Sequence, residues 1–175
     1  MGEILRQVLE EIGTAWDQGR MSLSQVYMSG IISEEAIHRI LPADLLVDKS
    51  LPRIGTAVFL DYHGLGIKIV SSLVRSAGYP VKNLGLGAKV EGILDFVGRE
   101  EIEILLISVL MFPSALAVEE LTRELAGKYP EVKVIVGGAP FRLDESLWEQ
   151  VGAHGMGRNA GEIFEILHRL SKESI

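Results

Sequence analysis

The chain has 175 residues, with 17 Lys and Arg against 24 Asp and Glu, a net charge of −7 at neutral pH, and no cysteine. At roughly 150 residues per domain this length allows one ordinary domain, or one with a small helical appendage, and a composition 47% hydrophobic and 23% charged excludes disorder as the main state. The acidic balance argues against a nucleic-acid partner, and the lack of thiols removes disulfides, thiolate zinc sites, iron–sulfur clusters and cysteine nucleophiles.

In chain order, Ile4, Leu5, Val8, Leu9, Ile12 and Trp16 recur at helical spacing and predict a first helix that stops at Gly19. Acids inside this stretch make it unlike a signal peptide, and no run of about 18 apolar residues is present to span a membrane, so a soluble cytoplasmic protein is expected. Ser22 is suited to cap a second helix ending at Pro42, with a stripe of Leu23, Val26, Tyr27, Ile31, Ala36, Ile37, Ile40 and Leu41. Residues 1–42 thus read as a helical hairpin. Its apolar seam needs cover from the next domain or from a second copy of the chain, and a homodimer through the hairpin is the preferred expectation. Residues 43–52, closed by Pro52, read as a linker, and 53–175 as a second domain.

From there short apolar runs alternate with amphipathic stretches. Strands are predicted at 54–60, 81–84, 104–108, 132–136 and 153–156, and helices at 65–77, 89–98, 114–128, 145–150 and 160–170. Five such units predict an α/β fold, a flavodoxin-like doubly wound parallel sheet of order 2-1-3-4-5. Ligands of such sheets bind beyond the carboxyl ends of the strands, which directs attention to the loops after Leu60, Ile107, Val136 and Met156.

The first of these loops reads Asp61-Tyr62-His63-Gly64-Leu65-Gly66. The spacing permits Asp61 to accept a hydrogen bond from one ring nitrogen of His63, leaving the other free as a metal ligand or base. A histidine that caps a helix or packs at a loop edge is the plainer alternative. Gly64-x-Gly66 is a weak phosphate-loop signal, because the third glycine of the dinucleotide fingerprint would fall at Ile69 and no Lys-Ser/Thr pair follows. A receiver domain would need an acid where Ser108 ends the third strand, and a flavodoxin would want a hydroxyl-rich loop where an acid and a histidine stand. The third loop is Ser108-Val109-Leu110-Met111-Phe112-Pro113-Ser114 and the fourth Gly137-Gly138-Ala139-Pro140. Ser114 suits a helix cap or a hydrogen-bond relay, and the glycine pair suits a turn or a close approach of backbone to ligand.

D-x-H-x-x-G after the first strand, S-x-L after the third and G-G after the fourth together resemble the cobalamin-binding domain of methionine synthase and the corrinoid proteins of methyltransferase systems. The resemblance covers about 53–170 well and the hairpin partially, as half of a four-helix cap. It implies a methyl carrier between a substrate-specific methyltransferase and a second methyltransferase, a subunit rather than a stand-alone enzyme, with a reductive activase as a further partner. It also implies cobalamin bound base-off, with His63 as the metal ligand in place of the cofactor's dimethylbenzimidazole. Asp61, His63 and Ser114 would then form the ligand relay. Cofactor contacts would fall on Asp61, Tyr62, His63, Gly64, Leu65, Gly66, Ser108, Leu110, Phe112, Gly137, Gly138 and Gly157. Two departures bear on the tail pocket: Leu60 stands where a glycine commonly precedes the aspartate, and Met111-Phe112 replaces a threonine-rich stretch. His154 and Arg158 stand where an acidic and a variable residue are usual, while His38 and His168 read as ordinary helical residues. A cobalamin-dependent sensor and the small subunit of an adenosylcobalamin-dependent mutase share the three motifs and stay open as alternatives.

Overall fold

Five strands, β1 (Ile54–Phe59), β2 (Val81–Ala88), β3 (Ile104–Ser108), β4 (Lys133–Gly137) and β5 (Gly155–Gly157), pair in parallel in the order β2-β1-β3-β4-β5, as the alternating pattern predicts. The computed structural model describes residues 47–172 and, ahead of them, 11, 12, 14–16, 18–22, 24–26, 28, 29, 31, 32 and 35. The expectations for 4–9, 36–41, Leu23, Tyr27 and His38 lie outside the described residues.

Both faces of the sheet are covered. Leu105, Ile107, Val134 and Val136 point to one side, where α2 (Val90–Glu100) and α4 (Val118–Lys128) contribute Ile93, Phe96, Leu121 and Leu125. Ile54, Val58, Leu106 and Ile135 point to the other, against Ile67 and Val74 of α1 (Leu65–Ser76) and Ile163, Ile166 and Leu167 of α7 (Ile163–Lys172). Burial on both faces is why β1 and β3 read as predominantly apolar runs, with Thr56 the polar exception inside β1, rather than as alternating ones.

Several boundaries differ from expectation, the last strand and last helix beginning at Gly155 and Ile163 rather than at 153 and 160 among them, and three differences have identifiable reasons. β2 runs on to Ala88 instead of stopping at Leu84, because Gly85 and Gly87, at φ 108° and 66°, absorb two register shifts against β1. The helix expected from Ser114 begins at Phe112, with Pro113 in its first turn, and divides at Ala117 into α3 (Phe112–Leu116) and α4. Ala139–Leu143, read as loop, is a short helix, α5, again with a proline in its first turn; α6 (Leu147–Gln150) follows.

Among the described residues ahead of 47, 11, 12, 14–16, 24–26, 28, 29, 31, 32 and 35 are helical. Ala15 and Val26 are buried, and Val26 clusters with Ile69 and Leu73 of α1 and with Ala160, with Trp16 packed alongside. At these positions the apolar residues are covered from within the chain, by α1 and Ala160.

Candidate functional site

Phe59 ends β1, and Leu60 takes a left-handed turn at φ 56°. For a leucine this costs about 1–2 kcal/mol, which accounts for the glycine that the resemblance leads one to expect at this place. The turn is held on both sides: the Leu60 amide donates to the Ala88 carbonyl at 3.0 Å, and the Gly87 amide to the Asp61 carbonyl at 2.7 Å. Its effect is to send the Asp61 side chain inward, where only 5% of the residue is exposed.

That carboxylate joins the loops after β1 and β3. Its Oδ2 accepts from the Leu110 amide at 2.7 Å and the Met111 amide at 3.1 Å, and its Oδ1 accepts from the Ser114 hydroxyl at 3.2 Å. Ser114 sits inside α3, whose cap residue is Met111, so its hydroxyl serves Asp61 and not the helix end. The aspartate–histidine bond that the spacing permits is absent among the described residues. Part-buried amides and a buried hydroxyl are costly to leave unpaired, by up to about 1–3 kcal/mol each, whereas His63 is exposed to solvent. The carboxylate therefore goes to the third loop, and the imidazole stays free.

Beside His63 opens a cavity of about 360 Å³ at the carboxyl end of the sheet, on the α1 and α7 side. The strand register explains its form. Ser108 of β3 lies beside Gly137 of β4, and Gly137 beside Gly157 of β5, so three small residues stand in one row across neighbouring strands. One layer deeper on the same face, Leu106 and Ile135 supply a floor. Gly66, Ile67 and Val70 of α1, with Ile163 of α7, close the opposite side. A Cβ on Gly66 would meet nothing nearer than the Ser108 hydroxyl at 3.9 Å, so this glycine borders open space. Gly138 is different. At φ 123° its missing Cβ would collide with the Val109 carbonyl oxygen, so here a side chain is forbidden by the fold itself.

The structure thus gathers His63, Leu65, Gly66, Ser108, Leu110, Gly137, Gly138 and Gly157 around the cavity and sets Asp61 and Ser114 behind it. Besides Asp61 and Ser114, three further sequence candidates do not line it. Tyr62 is 75% exposed with its ring against Gly87, Gly64 faces Leu86, and Phe112 is exposed on α3. His154 also stands apart: its Nδ1 accepts from the Val134 amide at 3.0 Å, making it an edge fastening for β4. Arg158 reaches the cavity while paired with Glu145 at 2.7 Å. His168 is exposed on α7. Sequence reasoning missed Arg142, Asn159 and Ile163, which also line the cavity. The Ala139-Pro140 start of α5 was the signal for Arg142, since a proline just after the Gly138 cap begins a helix that carries residue 142 back over the strand end.

Among the described residues no group of three or more His, Asp or Glu gathers to hold a metal ion, and no helix is long and apolar enough to cross a membrane. The family profile described as B12 binding domain matches residues 53–166. Dimethylamine corrinoid protein 3 of Methanosarcina acetivorans is 30% identical over 161 residues, covering 88% of this chain and 73% of that protein. A cobalamin-binding protein from Desulfitobacterium hafniense superposes with a TM-score of 0.83 at 26% identity, over 97% of this chain and 80% of that one. The methanol:cobalamin methyltransferase complex of Methanosarcina barkeri contains the same fold, with a TM-score of 0.66 at 23% identity over 91% of this chain and 60% of that one.

Proposed function

The chain belongs to the B12-binding domain family, and is a corrinoid-binding protein; from that premise we propose that it carries a methyl group between two methyltransferases, with the corrinoid held base-off by His63. The residues present suit such a group on three counts. An exposed imidazole with no partner among the described residues lines the cavity, a row of small residues leaves a trough beside it, and the buried interior is aliphatic. When bound, the corrinoid supplies a cobalt centre that accepts and yields the methyl group, and that chemistry belongs to the cofactor.

The chain's own contribution is ligation, positioning and exclusion of water. His63 offers the metal its ring nitrogen. Asp61 fixes the backbone on which His63 stands, by tying that loop to the Leu110 and Met111 amides and to Ser114. Ser108, Gly137 and Gly157 would hold the cofactor's nucleotide tail, and Gly66 leaves room opposite them. The partners on this reading are the two methyltransferases and a reductive activase, in the cytoplasm. The helical residues among 11–35 are the shortened remnant of a cap, and pairing of two hairpins would use the exposed Met28 and Ile32.

The observation that carries the reading is the free imidazole beside a trough of small residues. Electron paramagnetic resonance of protein loaded with cob(II)alamin tests it. Nitrogen superhyperfine splitting that responds to ¹⁵N-histidine labelling is expected, and His63→Ala should abolish that response. Because His63 is exposed, the substitution should change stability by no more than about 0.5 kcal/mol, which urea unfolding checks. A histidine signature that survives in His63→Ala sinks the ligand assignment.

A further inference from the structure

We propose that the cavity selects among complete corrinoids by the chemistry of their lower base, taking an apolar arene such as a benzimidazole and rejecting a purine. The inference rests on the corrinoid reading above and goes beyond it, to which corrinoid the chain accepts.

Every buried residue that lines the cavity is aliphatic, among them Ile67, Leu106, Ile135 and Ile163. None of the chain's buried polar residues that the structure describes, Thr56, Asp61, Ser71, Ser114 and Thr122, lines it. Polar side chains occur on it only at half-buried or exposed positions. Of these, the Asn159 carbonyl oxygen is already used by the Gly161 and Glu162 amides, at 2.8 and 3.1 Å. The Arg158 guanidinium is held by Glu145. Ser108 offers one hydroxyl at the small-residue row, and Arg142 stands exposed at the mouth, where an anionic phosphodiester linker would enter.

The two kinds of base ask different things of such walls. A dimethylbenzimidazole released from the metal presents one ring nitrogen and an otherwise apolar outline, which a single hydroxyl and aliphatic side chains satisfy. An adenine presents an exocyclic amine and several ring nitrogens, more polar atoms than the Ser108 hydroxyl and the half-buried Trp16 indole on these walls can receive. Groups buried without partners lower affinity. The aliphatic wall therefore discriminates against the purine and is indifferent to the corrin above.

The test is a set of spectrophotometric titrations of the intact chain with cobalamin, with the adenine-bearing cobamide, and with cobinamide, which lacks the nucleotide. Cobalamin should bind at least tenfold more tightly than the adenine cobamide, equivalent to about 1.4 kcal/mol, and more tightly than cobinamide. A ratio below tenfold, or cobinamide binding as tightly as cobalamin, overturns the inference and leaves the function proposal standing. Failure of all three to bind overturns the function proposal itself. Gly66→Val places methyl groups in open space beside Ser108. It should weaken cobalamin by at least tenfold while changing cobinamide by less than threefold; an equal loss for both would show that the tail does not lie there and overturn the inference as well.

Discussion

Asp61 shows how one side chain organises a site it does not line. Its carboxylate takes three donors from a loop about 50 positions away in sequence, and all of that contact is buried or part-buried. Hydrogen bonds to a charged group contribute about 1.5–3 kcal/mol, and stranded buried donors cost about 1–3 kcal/mol each. Asp61→Ala should therefore lower unfolding free energy by about 2–4 kcal/mol, read from the urea midpoint at unchanged slope. The loss should come with weakened corrinoid binding, since the His63 loop loses its anchor. A stability change under about 1 kcal/mol would mean that the loops are held by something other than this carboxylate. At this scale the sequence was informative about identity and less so about pairing. Of the expected Asp61, His63 and Ser114 relay the structure joins Asp61 with Ser114 and shows no Asp61–His63 bond among the described residues; the spacing could not show that the carboxylate would go to amides 49 and 50 positions away.

The elements were legible where apolar runs were long and bounded, as in β1 and β3, whose expected extents match within a residue. They were less legible where glycine and proline carry two meanings. Gly85 and Gly87 read as the end of a strand and are bulges within one; Pro113 and Pro140 read as loop and begin helices. The α4 helix supplies a test at this scale. Its buried Thr122 donates to the Val151 carbonyl at 2.5 Å, fastening the turn that leads from α6 into β5. Thr122→Val preserves shape and leaves that carbonyl without its partner, so a destabilisation of about 1–3 kcal/mol is expected. Because β5 contributes Gly157 to the row of small residues, corrinoid affinity should fall with it, and thermal unfolding paired with a spectrophotometric titration measures both.

At the scale of the whole molecule, the topology was readable because a parallel order with right-handed crossovers leaves few solutions. The volume of the cavity was not, since it depends on the register that sets Ser108, Gly137 and Gly157 abreast. Ligand binding to the folded chain raises its apparent stability by mass action, about 2.7 kcal/mol at a hundredfold excess over the dissociation constant. For a chain of this length that is about 5–11 °C in Tm. Cobalamin should produce this shift in differential scanning calorimetry, and His63→Ala should reduce it. The trio of residues abreast has one more consequence. Rotating side chains can make way for a guest, but glycines have none to rotate, and the interval between neighbouring strands is held near 4.7–4.9 Å by their mutual amide bonds. The wall formed by Gly137 and Gly157 is thus cut in main chain: substitution there can only narrow the cavity, and widening it falls to the side chains beneath and opposite, Leu106, Ile135, Ile67, Val70 and Ile163.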